Sequence, residues 1–211
     1  MSEECPYVSR GGLKLEHALR VFAIDVRGLH AADLGCSTGG FTDCLLRHGA
    51  ARVVAIDTAY GQLAWTLRND PRVVVRERSN ALHAAPRSDD ERVDLVVVDL
   101  GWTRQRLLLP AARAWLRSSA GRIVTLIKPH YEHTPEPAPR APARRGRHTG
   151  SVLTTEQSES VRDRVLQEIR ALGFDVLGVT PSPLLGGAVA GSKTTGTGNT
   201  EYLALLAPLG G

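Results

Sequence analysis

The 211-residue sequence predicts an α/β fold: a doubly wound seven-stranded sheet with helices on both faces and an antiparallel last strand. Three observations predict it. Short β-branched runs alternate with helically spaced segments along most of the chain. Val93 to Leu100 reads Val-Asp-Leu-Val-Val-Val-Asp-Leu, and a near-continuous apolar run of that kind suits a parallel strand covered on both sides. The chain also ends on two strands with only a loop between them, so the last one turns back against its neighbours.

The elements follow in order. His30 to Leu34 is the first apolar strand, and the Gly-rich turn Gly35-Cys36-Ser37-Thr38-Gly39-Gly40 follows it. Phe41 to His48 has helical spacing, with Phe41, Cys44 and Leu45 on one face and Gly49 as the stop. Arg52 to Asp57 is a short strand ending in an acid. Gln62 to Arg68 reads as a helix that Asp70-Pro71 breaks, and Arg72 to Arg76 is the next strand. After the strand at 93–100, Arg104 to Leu116 is an amphipathic helix that contains Pro110, and Gly121 to Lys128 is a strand. The longest helix runs from Thr154 to Leu172, with a threonine at its start and Gly173 at its end. Phe174 to Thr180 and Glu201 to Ala207 are the final two strands, joined by a Gly/Ser/Thr-rich loop at 181–200.

Composition narrows the function classes. The chain is 42% hydrophobic and 23% charged, as soluble domains are. No apolar run approaches the roughly 20 residues of a membrane helix, and the polar stretch Met1 to Arg10 carries no apolar signal core. The expected location is the cytoplasm. The three cysteines, Cys5, Cys36 and Cys44, have neither disulfide-framework nor zinc spacing, and no metal is expected. A net charge of +4 and a pI near 9.2 permit a polyanionic partner without demanding one. Residues 133–150 contain Pro135, Pro137, Pro139 and Pro142, then Arg144, Arg145, Arg147 and His148. Proline at that density makes an exposed loop, either a solvated linker or a basic arm for phosphate.

In a doubly wound sheet, ligands sit at the carboxyl ends of the strands. The turn at Gly35 to Phe41 lies there. Its spacing is G-x-x-x-G-G, neither the G-x-G-x-x-G of a dinucleotide site nor a P-loop. Asp33 places a carboxylate beside that turn, where it repels phosphate and can hold an ammonium such as that of a methionine moiety. Asp57 ends the second strand, where an acid can take both hydroxyls of a ribose. Asn80 and Asp99 end the third and fourth. The pattern fits an adenosyl ligand without phosphate, with Asp33, Gly35, Ser37, Thr38, Gly39, Gly40, Phe41, Asp57, Asn80 and Asp99 as candidate cofactor contacts. The plainer alternative is that Asp57 and Asn80 cap helices. Lys128, at the end of Ile123-Val-Thr-Leu-Ile, is a lysine in apolar surroundings, a placement that calls for a reason.

These blocks resemble the FtsJ/RrmJ-like RNA ribose methyltransferases, and within them the TlyA (hemolysin A) branch. The matching text is Tyr7-Val-Ser-Arg-Gly-Gly-Leu-Lys14, Asp33-Leu-Gly-Cys-Ser-Thr-Gly-Gly-Phe41, Ala55-Ile-Asp57-Thr-Ala-Tyr-Gly-Gln-Leu-Ala-Trp65, Arg78-Ser-Asn80, Lys128-Pro-His-Tyr-Glu132 and Gly198-Asn-Thr-Glu201. The resemblance runs from about Tyr7 to Leu206. It implies a Rossmann-like methyltransferase fold with S-adenosylmethionine as cofactor. It also implies ribosomal RNA or a ribosomal subunit as partner, and a catalytic Lys-Asp-Lys-Glu tetrad carried to Lys14, Asp99, Lys128 and Glu201. In such enzymes a ribose 2′-hydroxyl attacks the sulfonium methyl in line. A lysine base for that hydroxyl needs a depressed pKa, which burial or a neighbouring cation such as Lys14 can provide. On this reading, 1–28 is an N-terminal extension carrying a catalytic lysine and 29–211 is the methyltransferase domain.

The sequence departs from the family in three places. The small N-terminal RNA-binding domain usual in the TlyA branch does not precede the Tyr7 block, so RNA affinity falls to the catalytic domain or to a separate RNA-binding protein. The fourth strand ends Asp99-Leu-Gly-Trp-Thr in place of Asp-Val-Ser-Phe-Ile. The Pro/Arg segment replaces a Gly-rich sequence. Two alternatives follow from these departures: a methyltransferase for a small molecule or a protein, and a non-catalytic, hemolysin-like binding protein. A pore former would need an amphipathic or apolar membrane segment, which the sequence lacks.

Overall fold

The computed structural model describes residues 5–133, 152–186 and 198–210. The Pro/Arg-rich segment, apart from His133, and the middle of the 181–200 loop lie outside them. Strands β1 (His30–Leu34), β2 (Arg52–Ile56), β3 (Val73–Arg76), β4 (Leu95–Val98), β5 (Arg122–Ile127), β6 (Phe174–Pro181) and β7 (Tyr202–Pro208) form one sheet in the order β3-β2-β1-β4-β5-β7-β6. The first five are parallel, and β7 runs antiparallel between β5 and β6. This is the expected seven-stranded, doubly wound sheet with its reversed last strand.

Successive residues of the apolar strands feed opposite faces, as the pleat requires. Val96 and Val98 of β4 join one core with Trp115, Ile169 and Phe174, while Leu95 and Val97 join the other with Leu15, Phe41 and Leu45. Helices α4 (Gln105–Trp115) and α6 (Thr155–Ala171) supply side chains to the first core. Helices α1 (Gly11–Val21), α2 (Gly40–Arg47) and α3 (Trp65–Arg68) supply the second. Thr154 opens α6 with a full capping box to Gln157. Pro110 sits within α4 on its exposed side, where the carbonyl it leaves unbonded can face water.

Several boundaries move for reasons that concern the site. Helix α1 has no counterpart in the sequence reading, because it starts on Gly-Gly and its N-cap, Arg10, makes no side-chain cap bond. It lies within 1–28 and packs on α2, with Leu15, Ala18 and Leu19 buried. The helix expected from Gln62 begins only at Trp65, because Ala64 N–H donates to Thr38 O (3.0 Å) and holds 62–64 against the Gly-rich turn. The strand expected over 93–100 is regular only over Leu95–Val98, and Asp99 and Leu100 leave it at the cavity. A one-turn helix, α5 (Pro129–Glu132), follows β5 directly.

Candidate active site

A cavity of about 610 Å³ opens at the carboxyl ends of β1, β2, β4 and β5, beside the point where the strand order reverses. Two close backbone approaches shape it. Gly35 has φ of +89°, and a Cβ there would meet the Asp99 carbonyl oxygen at 2.8 Å. Gly40 lets the start of α1 press on the start of α2, since a Cβ would meet Ser9 Oγ at 2.3 Å and Gly12 N at 2.8 Å. That approach brings Ser9, Arg10 and Lys14 to the cavity wall.

Of the expected cofactor residues, Asp33, Gly35, Ser37, Thr38, Gly40, Phe41, Asp57 and Asp99 line the cavity. Asp33 is fully buried. Thr42 Oγ1 donates to its Oδ2 (2.7 Å), and its Oδ1 has no partner. Burial, with Asp99 and Asp57 nearby, pushes its pKa up to about 7 despite the threonine. Asp57 accepts Ser37 N–H at Oδ2 and Ala59 N–H at Oδ1, both at 2.8 Å, so it ties the Gly-rich turn to the end of β2. Gly39 and Asn80 are placed elsewhere. Gly39 faces Leu63 and Leu67, and Asn80 Oδ1 accepts Leu82 N–H (2.9 Å) in a local turn.

These groups fit S-adenosylmethionine. The unpartnered Asp33 Oδ1 is a buried acceptor without a donor, and a methionine ammonium would be a fitting one. Each Asp57 oxygen keeps a lone pair for a ribose hydroxyl. The Gly35 and Gly40 backbone forms part of the cavity wall. Among the described residues, no group of three or more His, Cys, Asp or Glu side chains is arranged to hold a metal ion.

The four expected tetrad residues come together as two ion pairs. Lys14 Nζ lies 2.6 Å from Glu201 Oε2, joining α1 to the start of β7. Lys128 Nζ lies 2.5 Å from Asp99 Oδ1, joining the ends of β5 and β4. Glu201 is 3% exposed and fills the space beside Gly186, where a Cβ would fall 2.1 Å from its Oε1. One expectation needs correction: a neighbouring cation does not depress the Lys128 pKa. Burial alone would lower it, but the Asp99 carboxylate, with Glu201 behind it, outweighs burial and holds Lys128 above the ordinary lysine range.

The mouth of the cavity holds a feature that sequence reasoning registered only as a departure from the family pattern. Trp102 lines the cavity, is 73% exposed, and has φ of +59°, a left-handed conformation that is costly for a bulky residue. Its ring lies 4.7 Å from Tyr131, and Tyr131 lies 4.1 Å from His130 and 5.9 Å from Lys128 Nζ. Among the described residues, no helix is long and apolar enough to cross a membrane.

The site can be set beside known proteins. The sequence profile of the FtsJ-like methyltransferase family matches residues 7–192. The chain is 43% identical over 208 residues to the 16S/23S rRNA (cytidine-2′-O)-methyltransferase TlyA of Mycobacterium tuberculosis, covering 96% of this chain and 69% of that protein. A solved structure assigned as a hemolysin from Streptococcus thermophilus superposes with a TM-score of 0.83 at 36% identity, over 99% of this chain and 70% of the other. An S-adenosylmethionine-dependent methyltransferase from Mesorhizobium loti shares the fold at 18% identity, with a TM-score of 0.54 over 90% of this chain and 96% of that one.

Proposed function

The chain belongs to the FtsJ-like methyltransferase family, and from that premise we propose that it methylates the 2′-hydroxyl of a ribose in ribosomal RNA. It is an S-adenosylmethionine-dependent methyltransferase, and the finer statement concerns substrate and catalytic residues. The observation that carries it is the pairing of Lys14 with Glu201 and Lys128 with Asp99 at the cavity that Asp33 and Asp57 also line.

Asp33 receives the ammonium of the cofactor and Asp57 its ribose hydroxyls. The bound cofactor supplies an electrophilic methyl on a sulfonium. The Lys128 ammonium, fixed by Asp99, donates a hydrogen bond to the substrate 2′-oxygen. As the new O–C bond forms the S–CH3 bond breaks, the sulfur leaving as a neutral thioether, and the hydroxyl proton, which the already protonated Lys128 cannot take, passes to solvent water. Lys14, anchored by the buried Glu201, closes the far side of the same site. Placement of the hydroxyl against the methyl carries much of the acceleration. Trp102, exposed at the mouth and backed by Tyr131, offers a flat face for an unpaired base next to the reacting ribose.

The relative whose name specifies rRNA cytidine 2′-O-methylation supports this substrate class, and a ribosomal substrate would put the enzyme's work in the cytoplasm. The test is to incubate the protein with radiolabelled S-adenosylmethionine and, separately, with unmodified ribosomal subunits, naked rRNA and a metabolite extract. Label in alkali-resistant dinucleotides identifies ribose methylation. Label on bases, or only in the extract, contradicts it.

A further inference from the structure

We propose that His130 is a positioning residue for methyl transfer: an imidazole behind Lys128 that must stay uncharged for the two lysine–carboxylate pairs to hold, so that its protonation sets the acid limit of activity. The inference rests on the ribose-methylation reading for its rate measurement, but not for its structural one.

The geometry begins with the chain. Pro129 starts α5 immediately after Lys128, which sets His130 on the first turn, half-buried, with its ring against Tyr131 at 4.1 Å and tilted by 53°. Tyr131 is the ring over which Lys128 Nζ lies, so His130 backs the aromatic wall of the lysine. Its Nδ1 is sealed from solvent and has no hydrogen-bond partner. As a lone pair, that nitrogen is tolerated. As an N–H it would be a buried donor with no acceptor, so protonation requires the ring to move or a carboxylate to turn toward it.

The surrounding charges point the same way. Burial first, then Lys128 from the end of β5 and Lys14 from α1, hold the His130 pKa below its usual range. The carboxylates nearest to those lysines, Asp99 after β4 and Glu201 before β7, are each engaged by one of them. Glu132, on the same short helix, accepts Gln105 N–H (2.7 Å). An imidazolium here is therefore a third cation beside two ammonium groups, and it competes with them for Asp99 and Glu201 at the expense of a lysine pair. Either loss displaces an amine from the 2′-oxygen. His130 does not line the cavity, so its effect passes through Lys128.

The test pairs two measurements on the full chain. In the first, single-turnover methyl transfer to rRNA, at S-adenosylmethionine concentrations that saturate the protein at every pH, is followed against pH for the wild type and for His130→Gln, whose amide is similar in size and never charged. The wild-type rate should fall about tenfold per pH unit below the imidazole pKa. His130→Gln should keep its own neutral-pH rate at least one unit further into acid than the wild type does. Superposed profiles, or a uniform loss at every pH, overturn the proposal. In the second, NMR of ring-labelled histidine follows His130 with neither cofactor nor RNA present. It should titrate below free imidazole and shift upward in Lys128→Met. A normal titration, unmoved by that substitution, overturns the proposal. If the wild type labels no RNA while the NMR result holds, the substrate reading has failed and the charge arrangement around His130 stands.

Discussion

Lys128 Nζ and Asp99 Oδ1 sit 2.5 Å apart on side chains that are 15% and 24% exposed, and this contact decides the charge on the lysine. Burial and the carboxylate act in opposite directions, and the carboxylate wins. Asp99→Asn removes the larger opposing influence and leaves burial to act, so the Lys128 pKa should fall. Proton-detected NMR of labelled lysine reads this directly, and an unchanged titration would show that Asp99 does not set the charge.

Asp33 gives a prediction of opposite sign for stability and for binding. Its folded pKa of about 7 lies above its unfolded value, so the folded state favours the protonated form. Its contribution to stability is complete below the ordinary aspartate range and is lost as pH rises through about 7. Asp33→Asn removes that loss and should raise Tm at pH 8, by about 2–4 °C per kcal/mol recovered in a chain of this size. It should also weaken S-adenosylmethionine binding severely, because the ammonium loses its carboxylate. Wild-type affinity should itself weaken as pH falls below about 7, as measured by calorimetry. A variant that is both no more stable at pH 8 and equally tight would contradict the assignment.

Trp102 adopts a left-handed backbone and leaves its ring in solvent, two costs that a base-stacking role explains. Loss of one stacked base is worth about 1–3 kcal/mol. Trp102→Ala should therefore weaken RNA binding on the order of tenfold, leaving cofactor affinity and fold intact. Trp102→Phe should restore most of it. Equal RNA affinity in the alanine variant, by fluorescence anisotropy, would remove Trp102 from the substrate surface.

Gly186→Ala would place a Cβ 2.1 Å from Glu201 Oε1. Glu201 is buried and held by Lys14, so the carboxylate can yield only by loosening that pair. The expected result is a fall in turnover with nearly unchanged cofactor affinity, because neither Asp33 nor Asp57 takes part in the Lys14–Glu201 pair. Full turnover in this variant would mean that the Lys14–Glu201 contact is dispensable.

Much of this architecture was legible in the sequence. The β4 run and the Gly-rich turn carry local signals, because a strand covered on both faces must be apolar throughout and a tight strand-to-helix turn needs glycine. Helix α1 was not legible, since Gly11 and Gly12 serve contacts with α2 and Tyr7 rather than helix propensity. Asn80 has the right residue type at a strand end, yet its side chain closes a local turn. The charge of Lys128 depends on a partner 29 positions away, and spacing alone left its sign open. The Trp102–Tyr131–His130 stack joins residues after β4 to α5 and exists only in the folded chain.

The most direct test compares the wild type with Lys128→Ala using radiolabelled S-adenosylmethionine and unmodified ribosomal subunits or rRNA, with cofactor affinity measured in parallel. Ribose label in the wild type, a loss of at least about 100-fold in the variant, and cofactor affinity within a few-fold are the expected results. Turnover in Lys128→Ala close to that of the wild type would contradict the account, whatever else the site binds.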